Sequence, residues 1–455
     1  MSNFLPNSLV KKLGVNPSFD TDAFINIHEE GIRATAIRLN PNKLKECPFP
    51  STGTVPWCSQ AFYLKERPVF TLDPLFHAGA YYPQDASSMF IDHVISSLQI
   101  NQEPIRALDL CAAPGGKSTL LNSSLHPESL LVANEIIKTR VTILQDNLTK
   151  WGNANTVVTN NDPSAFNRLA GYFDLMVVDA PCSGSGMFRK DVDAIDEWSE
   201  ANVKLCSERQ QRILVESLAA LRTGGYLLYS TCSYSEEENE DIVDWLMDSG
   251  DFESIDIAVD GNWGIEHTSS EKHKAHGYRF YPHKLGGEGF FIAVLKKIGE
   301  QATFSRKKMK MEKSDIPKGI LDSWIADHDG FHTFIHHDDV YIFPKIYDID
   351  LKYLQNVLYL KNAGTNVGKL NRKDLIPSHA LALSNHLAAG FQSVDLPLAE
   401  AQNYLRKDNL AATDLPGDLS GWTIARYDGQ ALGWMKVLPN RINNYYPKEL
   451  RIMNL

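Results

Sequence analysis

Two cysteines occupy positions where a thiol could do chemistry. Phe173-Asp174-Leu175-Met176-Val177-Val178 leads through Asp179 to Cys182, and Gly225-Tyr226-Leu227-Leu228-Tyr229-Ser230-Thr231 leads directly into Cys232. Such apolar runs read as buried strands, and open α/β sheets do their chemistry at the carboxyl ends of strands. Ser235-Glu236-Glu237-Glu238 then fits a helix cap with a following carboxylate. A helix N-terminus beside Cys232 would favour its thiolate. Taken alone, Cys232 is more often a small buried hydrophobe. If the two strands are neighbours, however, both sulfurs and the Asp179 carboxylate share one pocket.

A third strand-like run, Ile105 to Leu110, ends in Asp109-Leu110-Cys111-Ala112-Ala113-Pro114-Gly115-Gly116-Lys117. Small residues and two glycines let a ligand approach the backbone closely. The loop is neither G-x-G-x-x-G nor a P-loop, since Cys111 stands where the latter needs its first glycine. Glu135 ends the next strand, and Asp162 follows the one after. Glu135 lies 19 residues past Gly116, close to the offset of an acid that binds ribose hydroxyls. A nucleoside cofactor beside two thiols points to covalent catalysis on a base. Cytosine C5 is a poor nucleophile, but a thiolate adding to C6 turns the ring into an enamine. C5 can then take an electrophilic carbon, an acid near N3 such as Asp179 stabilises the adduct, and a base removes the C5 proton so that the thiol can leave.

The elements that must position these groups alternate. Strands at Leu130–Glu135, Thr156–Thr159, Phe173–Asp179 and Gly289–Leu295 are separated by helical patterns such as Val141, Leu144, Leu148 and Trp151, and a long helix spans Ala201 to Leu221 before Gly224-Gly225. This is the pattern of a mostly parallel sheet with helices on both faces. We divide the chain into residues 1–98, 99–297, a basic linker at 298–312 that includes Arg306-Lys307-Lys308-Met309-Lys310, and 313–455. The first segment holds strand-like Ile32–Leu39 and could present Arg33, Arg38 and aromatics to RNA, or simply cap the next domain. Trp422–Tyr427 and the Gly429/Gly433 neighbourhood suggest a hairpin near the end.

The net charge of −11 argues against a protein that grips nucleic acid by bulk charge, although a local basic face stays open. The six cysteines form no Cys-x-x-Cys pair and are too sparse for a disulfide scaffold, so no metal is expected and a reducing cytoplasm fits best. There is no signal-peptide pattern and no apolar run of membrane-spanning length.

The loop Asp109–Lys117, Asp179–Lys190 ending Gly-Met-Phe-Arg-Lys, Ser230–Glu240, Arg279-Phe280-Tyr281-Pro282-His283 and Gly286–Phe291 together resemble the Nop/Sun family of RNA cytosine-C5 methyltransferases. Tyr82–Ser88 is similar to the segment ahead of that family's catalytic domain. The resemblance covers roughly residues 80–297 and is looser beyond. It implies an α/β fold: a doubly wound, mostly parallel seven-stranded Rossmann-like methyltransferase sheet. An N-terminal α+β RNA-binding subdomain and a C-terminal α+β, PUA-like accessory region would flank it. It implies S-adenosylmethionine bound on Cys111, Ala112, Ala113, Pro114, Gly115, Gly116 and Lys117 with Glu135, Asp162 and Asp179. It makes Cys232 the nucleophile and Cys182 the thiol that assists product release; spacing alone does not decide between them. Asp179 and Lys190 become candidate base contacts. The implied partner is RNA, 16S rRNA of the small ribosomal subunit, acted on by a monomer. The same chemistry on tRNA, another acceptor atom, or a non-enzymatic RNA-binding scaffold are the rival readings.

Overall fold

The computed structural model describes residues 5–300, 304, 316, 319–371, 374–408, 410 and 419–453. Most of the expected basic linker, including Arg306–Lys310, therefore lies outside the described residues.

Near the N-terminus, β1 (Thr35–Leu39), β2 (Ser51–Val55), β3 (Cys58–Leu64) and β4 (Tyr81–Pro83) form a four-stranded sheet in the order β2-β3-β1-β4. The central sheet has a parallel heart of β5 (Arg106–Asp109), β6 (Leu130–Asn134), β7 (Thr156–Thr159), β8 (Phe173–Asp179) and β9 (Leu221–Thr231). Short β10 (Phe252–Ser254) pairs with β13 (Phe290–Lys297), and β11 (Glu266–Ser269) pairs with β12 (His276–Phe280). Then come β14 (Phe331–His336), β15 (Asp339–Pro344) and β16 (Leu360–Ala363), followed by β17 (Thr365–Asn371) and β18 (Asp374–Pro377). A last sheet contains β19 (Ser393–Asp395), β20 (Gly421–Tyr427), β21 (Gln430–Leu438) and β22 (Arg441–Asn444), with the expected hairpin at β20–β21.

The central order is β11-β12-β13-β9-β8-β5-β6-β7-β16, and with β10 paired to β13 off this path the sheet has ten strands rather than the seven expected. Seven of them, β5–β9 with β12 and β13, make its core, with β13 antiparallel beside β9. β16 comes from beyond the expected domain limit at 297 and pairs antiparallel with β7. Side chains alternate across the sheet. Leu175 and Val177 of β8 join Phe90, Val94, Leu120 and Leu121 on one face, whereas Met176 and Val178 join Phe166, Ile213, Leu214 and Ile242 on the other. Burial on both faces explains why these strands read as unbroken apolar runs. The helix expected over Ala201–Leu221 runs from Glu200 to Ser217, and Gly224-Gly225, expected to end that helix, fall inside β9.

The N-terminal sheet is locked to the central one by buried polar groups. Arg38, expected as a candidate RNA contact, is 1% exposed. Its guanidinium donates to Thr119 Oγ1 at 2.7 Å and to the Gly116 carbonyl at 3.3 Å, and lies 4.7 Å from the Trp151 ring centroid. Asn40 donates its amide to the Gly79 and Trp151 carbonyls at 3.0 and 2.9 Å. Arg33 remains exposed. Asn40→Ala removes both amide N–H donors and leaves two carbonyls short of a partner, a cost of about 1–3 kcal/mol. It is expected to lower the denaturation midpoint; an unchanged midpoint would show that the N-terminal sheet is not held through this side chain.

Candidate active site

β8 and β9 pair in parallel with Asp179 opposite Ser230, so both chains leave the sheet at the same level. Their exits carry Cys182 and Cys232, whose sulfurs are 3.1 Å apart. The Cys182 thiol is held well above the ordinary thiol range, first by its hydrogen bond to Cys232 and then by burial. Asp179 receives the Ser230 hydroxyl at 2.9 Å on one oxygen and the Lys117 ammonium at 2.8 Å on the other. Burial opposes the charge on Lys117, but Asp179 more than offsets it and raises the ammonium's pKa; the Cys232 side contributes in the same sense.

The turn after Cys232 differs from expectation. Ser235 makes no capping hydrogen bond; Glu236–Glu238 form a single 3-10 turn, and the helix proper is Glu240–Met247. The carboxylate of Glu238 instead turns inward. It accepts from Ser183 N–H at 2.7 Å, Ser183 Oγ at 2.6 Å and Ser233 Oγ at 2.5 Å. Ser183 and Ser233 each follow one of the cysteines, so one buried carboxylate ties both thiol loops together. Burial raises the Glu238 pKa, and the hydrogen bonds from Ser183 and Ser233 oppose the shift. This residue is invisible to sequence reasoning because a Glu-Glu-Glu run reads as a solvated helix start. The approach is so close that a Cβ on Gly186 would lie 2.5 Å from the Gly289 carbonyl oxygen and 2.7 Å from that of Cys232.

Behind the turn, Tyr234 stacks on Tyr281 with centroids 5.6 Å apart and meets Phe24 of the N-terminal helix Thr21–Glu30 edge-on. Arg279 donates to the Tyr234 carbonyl at 2.8 Å and to Glu240 at 2.7 Å. Thus the Arg279–Tyr281 segment supports the Cys232 loop from below. Arg189 similarly joins Glu288 at 2.9 Å and the Ile32 and Gly287 carbonyls, each at 2.7 Å.

The glycine-rich loop follows β5, and Gly115 precedes the helix Gly116–Ser124 in the left-handed region, with φ 112°. Arg140 holds the Ala113 carbonyl at 2.7 Å, Asn147 holds that of Pro114 at 2.8 Å, and Ala112 N–H donates to Asn134 at 2.8 Å. Cys111 is partly buried, and burial pushes its thiol up. Buried Asp109 accepts Ser118 Oγ at 2.6 Å with Oδ2, and burial raises its pKa to about 7. Glu135, at the end of β6, accepts Ile137 N–H at 2.9 Å and faces Arg140 at 3.6 Å. Asp162 is exposed; its Oδ1 caps the turn Pro163–Leu169 through Ser164, whose hydrogen bonds lower its pKa. Lys190 is exposed and paired with Asp85 at 3.1 Å. The geometry therefore gathers Cys182, Cys232, Asp179 and Lys117, while Lys190 pairs with Asp85.

Comparison with known proteins agrees with this architecture. A family model described as 16S rRNA methyltransferase RsmB/F matches residues 96–296. The N-terminal domain of 16S rRNA methyltransferase RsmF matches residues 5–86, and a methyltransferase RsmF PUA domain matches 391–452. Fold and family models together define an RNA methyltransferase of the RsmB/F class. Among curated relatives, the ribosomal RNA small subunit methyltransferase F of Vibrio campbellii is 30% identical over 87% of this chain and 85% of its own. That of Vibrio parahaemolyticus is 28% identical over 98% of each. The chain belongs to the ribosomal RNA small subunit methyltransferase F family. A solved methyltransferase homologue from Pyrococcus horikoshii is 26% identical with a TM-score of 0.51, covering 64% of this chain and 100% of that one. The NSun6 structure from the same organism, solved with SFG, has a TM-score of 0.53 at 19% identity over 65% and 99% of the two chains, a likeness of fold. Among the described residues no helix is long and apolar enough to cross a membrane.

Glu238→Ala frees Ser183 and Ser233 and loosens the thiol pair. A misplacement of about 1 Å costs on the order of 10²-fold in rate, and methyl-transfer assays should show a fall of that order in kcat. Full kcat in the variant would mean that Glu238 does not position the cysteines.

Proposed function

We propose that this chain transfers a methyl group from S-adenosylmethionine to C5 of a cytidine in RNA, with 16S rRNA of the small ribosomal subunit as substrate. The observation that carries this reading is the 3.1 Å approach of the two sulfurs at the carboxyl edge of the sheet, beside Asp179 and Lys117. Membership of an rRNA methyltransferase family supports the substrate class.

The donor would lie on Cys111 to Lys117, with Glu135 and Asp162 receiving its hydroxyl and amino groups and Asp179 beyond. The residues fit such a group. Acids end or follow four adjacent parallel strands around a loop of small residues, and the buried Oδ1 of Asp109 makes no hydrogen bond within the protein. The Pyrococcus horikoshii protein of similar fold was solved with SFG, an analogue of that donor. When bound, S-adenosylmethionine supplies an electrophilic methyl group for C5.

The chain's own residues supply the rest. The Cys232 thiolate would add to C6, and the C5–C6 π pair would shift toward C5 and make it nucleophilic. The Asp179 carboxyl, beside Lys117 and Ser230, would face N3, deliver its proton there as negative charge develops on the ring, and take it back when the thiolate leaves. Loss of the C5 proton to a base re-forms the double bond and expels Cys232, with Cys182 assisting release. Lys190, oriented by Asp85, would contact the base. Residues 1–98 and 313–455 would act as units that bring RNA to the cleft, the last as a PUA-like module, with the protein working as a monomer in the cytoplasm.

Cys232→Ala should abolish turnover without forming any protein–RNA adduct. Cys182→Ala should slow release on the order of 10²–10⁴-fold and accumulate an adduct that survives denaturation on a gel. Activity persisting in Cys232→Ala would refute the assignment. Glu135→Gln should weaken S-adenosylmethionine binding about tenfold or more by calorimetry, the loss of a hydrogen bond to a charged group; unchanged affinity would move the ribose site elsewhere.

A further inference from the structure

β11 and β12 form an antiparallel pair in which His267 stands opposite Tyr278 and Ser269 opposite His276. His276 and Tyr278 are two residues apart on β12, so His267 and His276 project diagonally from one face. Asp256, in the connection after β10, reaches the same spot. We propose that His267 Nε2, His276 Nδ1 and Asp256 Oδ1 bind one divalent late-transition-metal ion of the zinc class.

The three donor atoms form a triangle with sides of 3.0, 3.6 and 3.8 Å. Its circumcentre lies about 2.0 Å from every corner, the distance at which imidazole nitrogen and carboxylate oxygen bind zinc. The ligands therefore need little movement to close on an ion. Two imidazoles and one carboxylate suit borderline ions such as Zn²⁺ or Co²⁺, whereas Mg²⁺ and Ca²⁺ call for oxygen ligands. The carboxylate is also oriented from behind. The Tyr278 hydroxyl donates to Asp256 Oδ1 at 3.0 Å and accepts Ile257 N–H at 2.5 Å, and its ring packs 5.4 Å from His267 and 5.6 Å from Phe90. Outer hydrogen bonds of this kind fix ligand direction in metal sites. Asp256 and His267 are exposed and His276 is partly so, which leaves room for water to complete a four-coordinate shell. Cysteine spacing could not have pointed to this site, because its donors are histidines on adjacent strands and a carboxylate from a separate connection.

An ion there would join the connection after β10 to the β11–β12 pair. β12 also carries Arg279, which holds the Tyr234 carbonyl behind Cys232. The ion would thus brace the strand that supports the catalytic turn without touching the reacting groups.

The test is equilibrium dialysis of the full chain, with Cys182 and Cys232 replaced by serine so that the thiol pair cannot contribute, against Zn²⁺ and Co²⁺. One saturable equivalent per chain is expected. His267→Ala, His276→Ala and Asp256→Asn should each weaken binding more than about tenfold. The last variant keeps a carbonyl oxygen for the Tyr278 hydroxyl and so separates ligation from folding. His273→Ala, an exposed imidazole paired with Asp248 outside the cluster, should bind the ion as before. Absence of saturable binding, or affinity that survives all three substitutions, would reduce the cluster to a hydrogen-bonded surface group and overturn the proposal.

Discussion

The thiol pair depends on a register. β8 and β9 are adjacent parallel strands with Asp179 level with Ser230, so the two chains emerge side by side at the same edge. Everything that follows is constrained by that common exit. Two loops turn away within a few residues of each other, their backbones meet where Gly186, Gly289 and the Cys232 carbonyl crowd together, and there is no space for a Cβ. A single carboxylate, Glu238, satisfies both serines that follow the cysteines. Burying a charge is costly unless it is hydrogen-bonded, and Glu238 meets that condition with three close donors.

The segments around the catalytic sheet are structural parts of it. Arg38 and Asn40 bind backbone and side chains of the helices that flank the glycine-rich loop. The N-terminal segment places Phe19 and Phe24 against Tyr281, and Phe24 against Tyr234, in edge-to-face contacts. Such pairs contribute about 0.5–1.5 kcal/mol each beyond the area they bury. Gln402 and Gln430 from the C-terminal region donate to the Leu72 and Lys43 carbonyls of the N-terminal segment at 2.9 and 2.8 Å. A reading of Arg38 as an RNA contact fails because an arginine flanked by apolar strand residues is indistinguishable in sequence from one on a surface.

What could be read from the residues follows the same logic. The alternation of strands and helices, the loop after β5 and the meeting of Cys182 with Cys232 are legible because each rests on an uninterrupted apolar run with a polar end. Glu238 is not legible: its carboxylate acts across 55 residues, on Ser183, while its local context suggests a cap. Lys190 lies within a motif, yet its partner Asp85 is 105 residues away. The three extra strands of the central sheet are hidden for a related reason. β16 is four residues of mixed polarity, partly exposed, and becomes a strand only because β7 offers it a ladder.

That short strand has a consequence for how the molecule can be divided. β7 is buried throughout and apolar in its middle, and without β16 its outer row of amide and carbonyl groups would be bare. Exposed ladders of that kind recruit other chains. The methyl-transferring sheet therefore cannot be trimmed to its own stretch of sequence without becoming adhesive, and the distal part of the chain serves as its selvedge as much as any module of its own.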